Sequence, residues 1–419
     1  MKHTTSGIPS QSRITLLCLA ALTIMSGATV APSLPALQQY FSGTPNSDLW
    51  SRLVVTLPAL SIALCAPLAG WIADRHGRLQ LLKAALVLYG LSGLLALFQD
   101  SLAGILTSRL LLGVAVAGTM TSVTALVGDY FSREQRLTYL SQQSTFISIG
   151  GVVFLTLGGL LASLHWRAPF AIYLLALLLV PAVKIFLWEP MRVRPFKHRD
   201  PKKEKQDNPL AFYALLAAAT LNSLAFTLIP TQIPFYLREI EISSPSLIAM
   251  AIASSNVMGA IASLLIYRRA RNRLGVLGVF VASFTIMAAS FGLLAGAENL
   301  TEIVAFIALY GLGMGTLIPH IFSTALESAP ESKRGKTAGF LTTGIFLGQF
   351  ISPFISQPWI DKMGYSSAFS SMALILMFAA SSAALIYIIK IKKNSHWHIL
   401  PGWDRETDPT GKVFLLSAR

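Results

Sequence analysis

The chain has 419 residues, of which 53% are hydrophobic and only 12% are Asp, Glu, Lys or Arg. That is about half the charged share of an ordinary soluble domain, too little to clothe a water-facing surface. The net charge of +14 would suit a nucleic-acid partner, but the apolar residues fall in blocks of roughly 20, each able to cross a hydrocarbon core of ~30 Å as a helix.

In chain order the blocks predict an all-α membrane protein with twelve spans, at 14–35, 49–73, 79–98, 102–127, 139–163, 168–188, 210–237, 245–267, 274–296, 301–326, 337–360 and 366–390. Stretches such as Ala168–Leu187 lack the polar face of a helix in a soluble bundle. The first block, behind Lys2 and Arg13, is long for a signal-peptide core and eleven more follow, so it reads as span 1. Cys18 and Cys65, in spans 1 and 2, have neither metal-ligand nor redox spacing and read as small packing residues.

The positions of the 33 Lys and Arg fix an orientation. With the N-terminus inside, nearly all loop charges fall on one side, among them Arg75, Arg78, Arg133, Arg136, Arg268–Arg273 and Lys333–Lys336. Only Arg167, Arg238 and Lys362 lie opposite, with Arg52 just within span 2. This asymmetry predicts both termini in the cytoplasm and makes a nucleic-acid partner unnecessary. Residues 189–209 form the longest polar stretch between spans, basic and bounded by Pro190 and Pro209, which suits a linker lying on headgroups. The expected organisation is a six-helix half at 1–188, the linker at 189–209, a second half at 210–390 and a cytoplasmic tail at 391–419.

Sliding one half along the other by 198 residues aligns Pro32 with Pro230, Gly77 with Gly275, Gly113 with Gly311, Asp129 with Glu327, Arg136 with Arg334 and Gly150 with Gly348. Each pair falls at the same point of corresponding spans or loops, as expected of pseudo-symmetric bundles facing one another across a midplane cavity.

After span 2 comes Gly70-Trp-Ile-Ala-Asp74-Arg75-His-Gly77-Arg78. Taken alone it is a charged turn in which Gly70 allows close helix approach and Gly77 a tight reversal. In a twelve-span chain it resembles the signature loop of the major facilitator superfamily, G-x-L-A-D-R-x-G-R, departing at Ile72 and in the ending Leu79-Gln80. The resemblance, to bacterial twelve-span drug:proton antiporters, implies a gating role for Gly70, Asp74, Arg75, Gly77, Arg78 and Asp129. Asp74 would meet the start of span 11 in the outward-open state, and Arg78 would pair with Asp129 at the end of span 4.

Arg109 and Gly113 in span 4 look like the family's second motif, a membrane-embedded Arg with Gly four residues on, and imply a role in coupling or binding near the cavity. By depth alone Arg109 can also snorkel to the outer headgroups. Span 5 matches in part: Gly150, Gly158 and Gly159 keep the packing glycines of the drug-antiport motif, while its central Gly-Pro is absent. Pro32 and Pro35 in span 1, answered by Pro230 and Pro234 in span 7, either free carbonyls toward a cavity or bend their helices.

Proton coupling needs a group that titrates while alternating between faces, yet no Asp or Glu lies well inside a span. Arg52, Arg109 and Lys184 are the bases at depth, and His320 is the one deep side chain that titrates near neutrality. His320 also suits a packed, hydrogen-bonded role. Arginines without acids favour anionic solutes, although Asn222, Gln232, Asn256 and Gln349 are polar candidates for lining a site or for gluing helices. His396-x-His398 in the tail lacks a completed metal-ligand set.

The expected function is secondary active transport of a small molecule by alternating access, most directly proton-coupled efflux of multidrug or metabolite type. The alternative is transport of an anionic metabolite such as a carboxylate siderophore, in either direction. No nucleophile–base or metal cluster points to an enzyme, and no cofactor or metal is called for beyond a proton gradient as driving force. The expected setting is a monomer in the bacterial inner membrane whose partners are its substrate and the bilayer.

Overall fold

The computed structural model describes residues 8–190, 209–330 and 333–395. Among these residues there are helices and connecting turns but no strand. Ten helical runs are long and apolar enough to cross a membrane; Pro245–Leu294, with 50 residues, and Arg334–Ile389, with 56, are about twice the length of one crossing. Each of the two is interrupted at a glycine of positive φ, Gly275 at 69° and Gly364 at 77°. Their length forces them to double back there, so the described residues make twelve crossings.

The helices depart from uniform α geometry where the side chains dictate it. Span 1 runs Ser10–Ala28, tightens into a 3₁₀ turn at Ala31–Ser33 and resumes at Leu34–Tyr40, because Pro32 and Pro35 have no N–H for the helical ladder. Span 7, Pro209–Glu239, continues through Pro230 and Pro234. Span 6 opens as 3₁₀ helix, Ala168–Leu174, before the α-helix Leu175–Phe186. Span 8 contains one π turn, Ala262–Ile266. Hydropathy registers none of the last three features, since it reads burial and not hydrogen-bond period.

The internal repeat appears as matched contacts. Ser101 accepts a hydrogen bond from the Gly104 N–H to cap span 4, Leu102–Tyr130, and Asn299, 198 residues later, accepts one from the Glu302 N–H to cap span 10, Leu300–Ser328. Arg136 donates to the Gly128 carbonyl at 2.5 Å, and Arg334 to the Leu326 carbonyl at 3.1 Å. Gly113 of span 4 lies against the Pro58 carbonyl of span 2, and Gly311 of span 10 against the Ser255 carbonyl of span 8. Gly150 of span 5 rests on Ala21 of span 1, as Gly348 of span 11 rests on Thr220 of span 7.

The halves meet through span 2 and the run that holds spans 11 and 12, through spans 5 and 8, and through spans 1 and 7. The face carrying Arg78, Arg136 and Arg268 is called the basic face, and the other the far face. Toward the far face the packing is close: span 2 is buried from Ser51 through Thr56, and Gly159 of span 5 sits on Ala249 and on the Pro245 carbonyl of span 8. Toward the basic face Leu64, Leu68 and Trp71 of span 2 are 65%, 61% and 56% exposed.

A methyl group at Gly113 would meet Ser61 Cβ at 2.6 Å, and one at Gly311 would meet Ser255 Cα at 2.8 Å. Gly113→Ala and Gly311→Ala are each expected to cost about 1–3 kcal/mol through overpacking and to lower the thermal midpoint in detergent. Gly43→Ala, which meets no atom within 4 Å, is expected to leave the midpoint unchanged in the same fluorescence-detected melt.

Candidate functional site

The far-face seam holds the densest polar network between the halves. Arg52, near the start of span 2 (Ser47–His76), is only 2% exposed. Its Nε donates to Gln232 Oε1 at 2.8 Å, one terminal nitrogen donates to the Asp48 carbonyl at 2.7 Å, and the other reaches the Tyr365 hydroxyl at 3.4 Å. The guanidinium also lies 3.9 Å from the centroid of the Phe235 ring. Gln232, fully buried in span 7, donates to Ser356 at 3.0 Å and to Gln357 at 3.4 Å, and Gln357 donates to Asp361 at 2.6 Å. Arg238 adds a second tie, to the Pro35 carbonyl at 3.1 Å and to Gln39 at 3.0 Å. Spans 1 and 2 are thereby bonded to spans 7 and 12, with span 11 held through Gln232.

A cavity of about 590 Å³ stands on this network, and Asp48, Glu239 and Asp361 are among its lining residues. These carboxylates sit at the mouth of the seam and not within the spans. Gln232 and Arg52, picked separately from the sequence, are thus brought into direct contact. Tyr365, Arg238, Gln357 and Asp361 were missed because each lies at the end of a predicted span, where a polar residue reads as loop.

Arg109 occupies a different place. It is fully buried in the first half, 4.9 Å from the ring centroid of Phe170 and 4.7 Å from that of Tyr173. Both terminal nitrogens lack a hydrogen-bond partner among the described residues. Tyr89 and Tyr173 direct their hydroxyl protons at the carbonyls of Leu22 and Ser26 in span 1, so spans 1, 3, 4 and 6 surround the guanidinium. Arg109 neither snorkels to the headgroups nor lines the far-face cavity, because the aromatic rings of spans 3 and 6 enclose it.

His320 is fully buried in span 10, and its Nε2 lies 2.8 Å from the Val276 carbonyl. A carbonyl only accepts, so Nε2 carries the proton. Phe280 and Tyr267 pack against the ring at 4.7 and 5.9 Å. Arg52, Arg109 and His320 therefore stand in three separate environments. Asn222 is buried, with its Oδ1 lacking a partner among the described residues and its backbone carbonyl accepting from Tyr310 at 3.4 Å. Asn256 is buried beside Gly151 where spans 5 and 8 meet, and Gln349 is half-buried on span 11. Gly158 lies against the Thr29 carbonyl, so the glycines kept in span 5 do admit close helices.

At the basic face Gly77 has a φ of 107° and ends span 2 in a single-residue reversal. Arg78 pairs with Asp129 and donates to the Ala125 carbonyl at 3.1 Å. Glu189 accepts from the backbone N–H groups of Arg78 and Leu79 at 2.7 and 2.8 Å, capping span 3. The sequence placed Glu189 only at the start of a linker. Asp74 and Arg75 are exposed, and a methyl group at Gly335 or Gly339, at the start of span 11, would meet no described atom within 4 Å. Among the described residues no hydrogen bond or ion pair joins Asp74 to span 11 in this conformation.

A buried guanidinium with two unbonded nitrogens is costly at membrane depth, about 2.5–3.5 kcal/mol on insertion scales, and two ring faces return about 0.5–2 kcal/mol each. The balance makes Arg109 a poor stabiliser of the fold. Arg109→Met is expected to leave the thermal midpoint unchanged or raised while reducing transport; a fall of several degrees would assign Arg109 to structure instead.

The sequence profile of the Major Facilitator Superfamily matches residues 16–353 and again 215–412. The chain is 23% identical over 336 residues to the quinolone resistance protein NorA of Staphylococcus aureus, covering 78% of this chain and 85% of that protein. It is 30% identical over 164 residues to the bacillibactin exporter of Bacillus subtilis, a match that spans 38% of this chain and 40% of the exporter. A bacterial homologue of the human lysosomal transporter Spinster, in an inward-facing and occupied conformation, superposes with a TM-score of 0.66 at 15% identity, covering 91% of this chain and 96% of that one. With twelve crossings in two matched halves, the signature loop after span 2 and a profile match along most of its length, this chain belongs to the Major Facilitator Superfamily of membrane transporters.

Proposed function

We propose that this chain exports a small molecule across the bacterial inner membrane by alternating access, with protons as the counter-ion and the basic face in the cytoplasm. One observation carries the reading: the far face is tied by Arg52–Gln232 and Arg238–Pro35, while span 2 and the start of span 11 are uncovered toward the basic face. This is an inward-facing state. Transport requires that the far-face network break and that Asp74 and Gly70 close on Gly335 and Gly339. The far-face network is made of hydrogen bonds and one aromatic stack, so it is reversible within a cycle. The NorA relative supports drug efflux, and the positive-inside rule supports cytoplasmic termini.

The bacillibactin exporter relative supports export of a metabolite as a second reading. A cavity selective for anions through paired arginines is a weaker basis for it, because Arg52 and Arg109 do not face a common space.

Two measurements test the proposal. In proteoliposomes with an imposed pH gradient, lipophilic cations are expected to move against the proton flux; flux indifferent to the gradient would remove proton coupling. Spin labels at Ser42 and Lys362, exposed on the far face of either half, report the seam by double electron–electron resonance. Arg52→Ala removes hydrogen bonds of a charged donor worth about 1.5–3 kcal/mol each, so the longer-distance population is expected to rise about tenfold or more. An unchanged distance distribution would show that Arg52 does not hold the seam.

A further inference from the structure

Two glutamines carry the far-face seam further than Arg52 itself reaches. The Arg52 Nε donates to Gln232 Oε1 at 2.8 Å, Gln232 Nε2 donates to Gln357 Oε1 at 3.4 Å, and Gln357 Nε2 donates to Asp361 Oδ1 at 2.6 Å. A guanidinium only donates and an ionised carboxylate only accepts, so the two ends fix which way both amides point. Gln232 and Gln357 are buried, whereas Asp361 is exposed at the far-face cavity. One directional chain therefore runs from a buried cation on span 2, through span 7, to a water-facing anion at the end of span 11. Its longest link is steadied by Ser356, whose hydroxyl accepts from the same Gln232 nitrogen at 3.0 Å.

We infer that Asp361 is the proton-responsive end of this seam: ionised, it holds the chain to Arg52 in one polarity, and protonation from far-face water loosens it. Bonds in a chain polarise one another, so a charge at the end strengthens links it does not touch. The neutral acid still accepts from Gln357, at about half the strength of the charged acceptor. Its O–H can instead donate to Gln357 Oε1, which turns the Gln357 amide and sets one NH₂ group against the other at Gln232. The ionised chain thus holds the seam at higher pH and is lost as pH falls, so protons favour the parted seam. The charges around Asp361 are Arg52 and Asp48 of span 2 and Arg238 and Glu239 of span 7, with Tyr365 across the cavity and Lys362 next in sequence. Asp48 is engaged by Gln38, and Arg238 by Gln39 and the Pro35 carbonyl; Asp361 is the acid whose carboxylate is bonded to the chain. The inference rests on the inward-facing reading above, in which this seam is the gate to the far side. An exporter whose seam parts when far-face water is acidic admits protons where its substrate leaves.

The seam can be followed without substrate or gradient. Spin labels at Thr44 and Ser243, exposed on far-face turns of the two halves and outside the cavity lining, report it by double electron–electron resonance on the full-length protein in detergent. Asp361→Asn at pH 7.5 is expected to raise the longer-distance population about fivefold, and Gln357→Met to raise it at least as much. Lowering the pH from 7.5 to 4.5 should raise that population in the wild type and leave it nearly unchanged in both variants. Glu239→Gln, which removes the same charge from the same mouth, should respond to pH as the wild type does. A wild type indifferent to pH, a response that persists in Asp361→Asn, or one lost equally in Glu239→Gln would overturn the assignment. A response that persists in Gln357→Met but not in Asp361→Asn would show that Asp361 acts on Arg52 through space, and would overturn the chain. Arg52→Ala separates the two levels of the reading: if it leaves the distances unchanged, the seam itself fails as a gate, and if it lengthens them while Asp361→Asn does not, Asp361 alone falls. Flux indifferent to a pH gradient would remove proton-coupled efflux and leave these distances as they are.

Discussion

In hydrocarbon two helices gain little by hiding apolar surface from one another, because lipid tails are as apolar as leucine. Cohesion must come from close contact and from hydrogen bonds, and this chain obtains much of the first by removing side chains. Gly113 on the Pro58 carbonyl, Gly311 on the Ser255 carbonyl and Gly158 on the Thr29 carbonyl bring backbone against backbone. Within each half these contacts fix spans 2 to 4, 8 to 10 and 1 to 5. Between the halves one contact of this kind, Gly159 on the Pro245 carbonyl, is accompanied by a polar network.

At spans 1, 2, 7, 11 and 12 the junction is polar. Arg52, Gln232, Gln357 and Tyr365 contribute directional hydrogen bonds that are satisfied in one arrangement and would find water in another. A seam of packed leucines would be harder to reopen, and one of unpaired charges would never close. Gly159 against Ala249 at spans 5 and 8 supplies a smooth flank to the same seam. At the basic face the corresponding parts are built but unjoined: Arg78, Asp129 and Glu189 hold the signature loop rigid within its own half, leaving Asp74 exposed. A rigid loop on one half and open glycines on the other are what a reversible closure requires.

The buried charges divide by how their needs are met. Arg52 has a hydrogen-bond partner on each of its three nitrogens and belongs to the seam. Arg109 has two aromatic faces but, among the described residues, no hydrogen-bond partner for its terminal nitrogens. His320 has one carbonyl and an aromatic cage. The acids that line the far-face cavity, Asp48, Glu239 and Asp361, are exposed. By depth in the sequence Arg52 and Arg109 were both bases within spans, whereas the fold gives them different surroundings.

Sequence by itself determined what the bilayer as solvent dictates. Span number follows from the length of apolar runs against a fixed hydrocarbon thickness, and the repeat follows from glycines and prolines whose backbone demands no other residue meets. The signature loop was legible because its residues are adjacent in the chain, and the Arg78–Asp129 pair was reached through it. The 3₁₀ opening of span 6, the π turn of span 8, the capping carboxylate of Glu189 and the union of Arg52 with Gln232 were not legible. Each depends on which face of a helix meets which neighbour, and spans apolar all round carry no periodicity to say so. Arg109 and Arg52 look alike as lone arginines in apolar runs. Only tertiary structure, by placing one in an aromatic interior and the other in the hydrogen-bonded seam between the halves, told them apart.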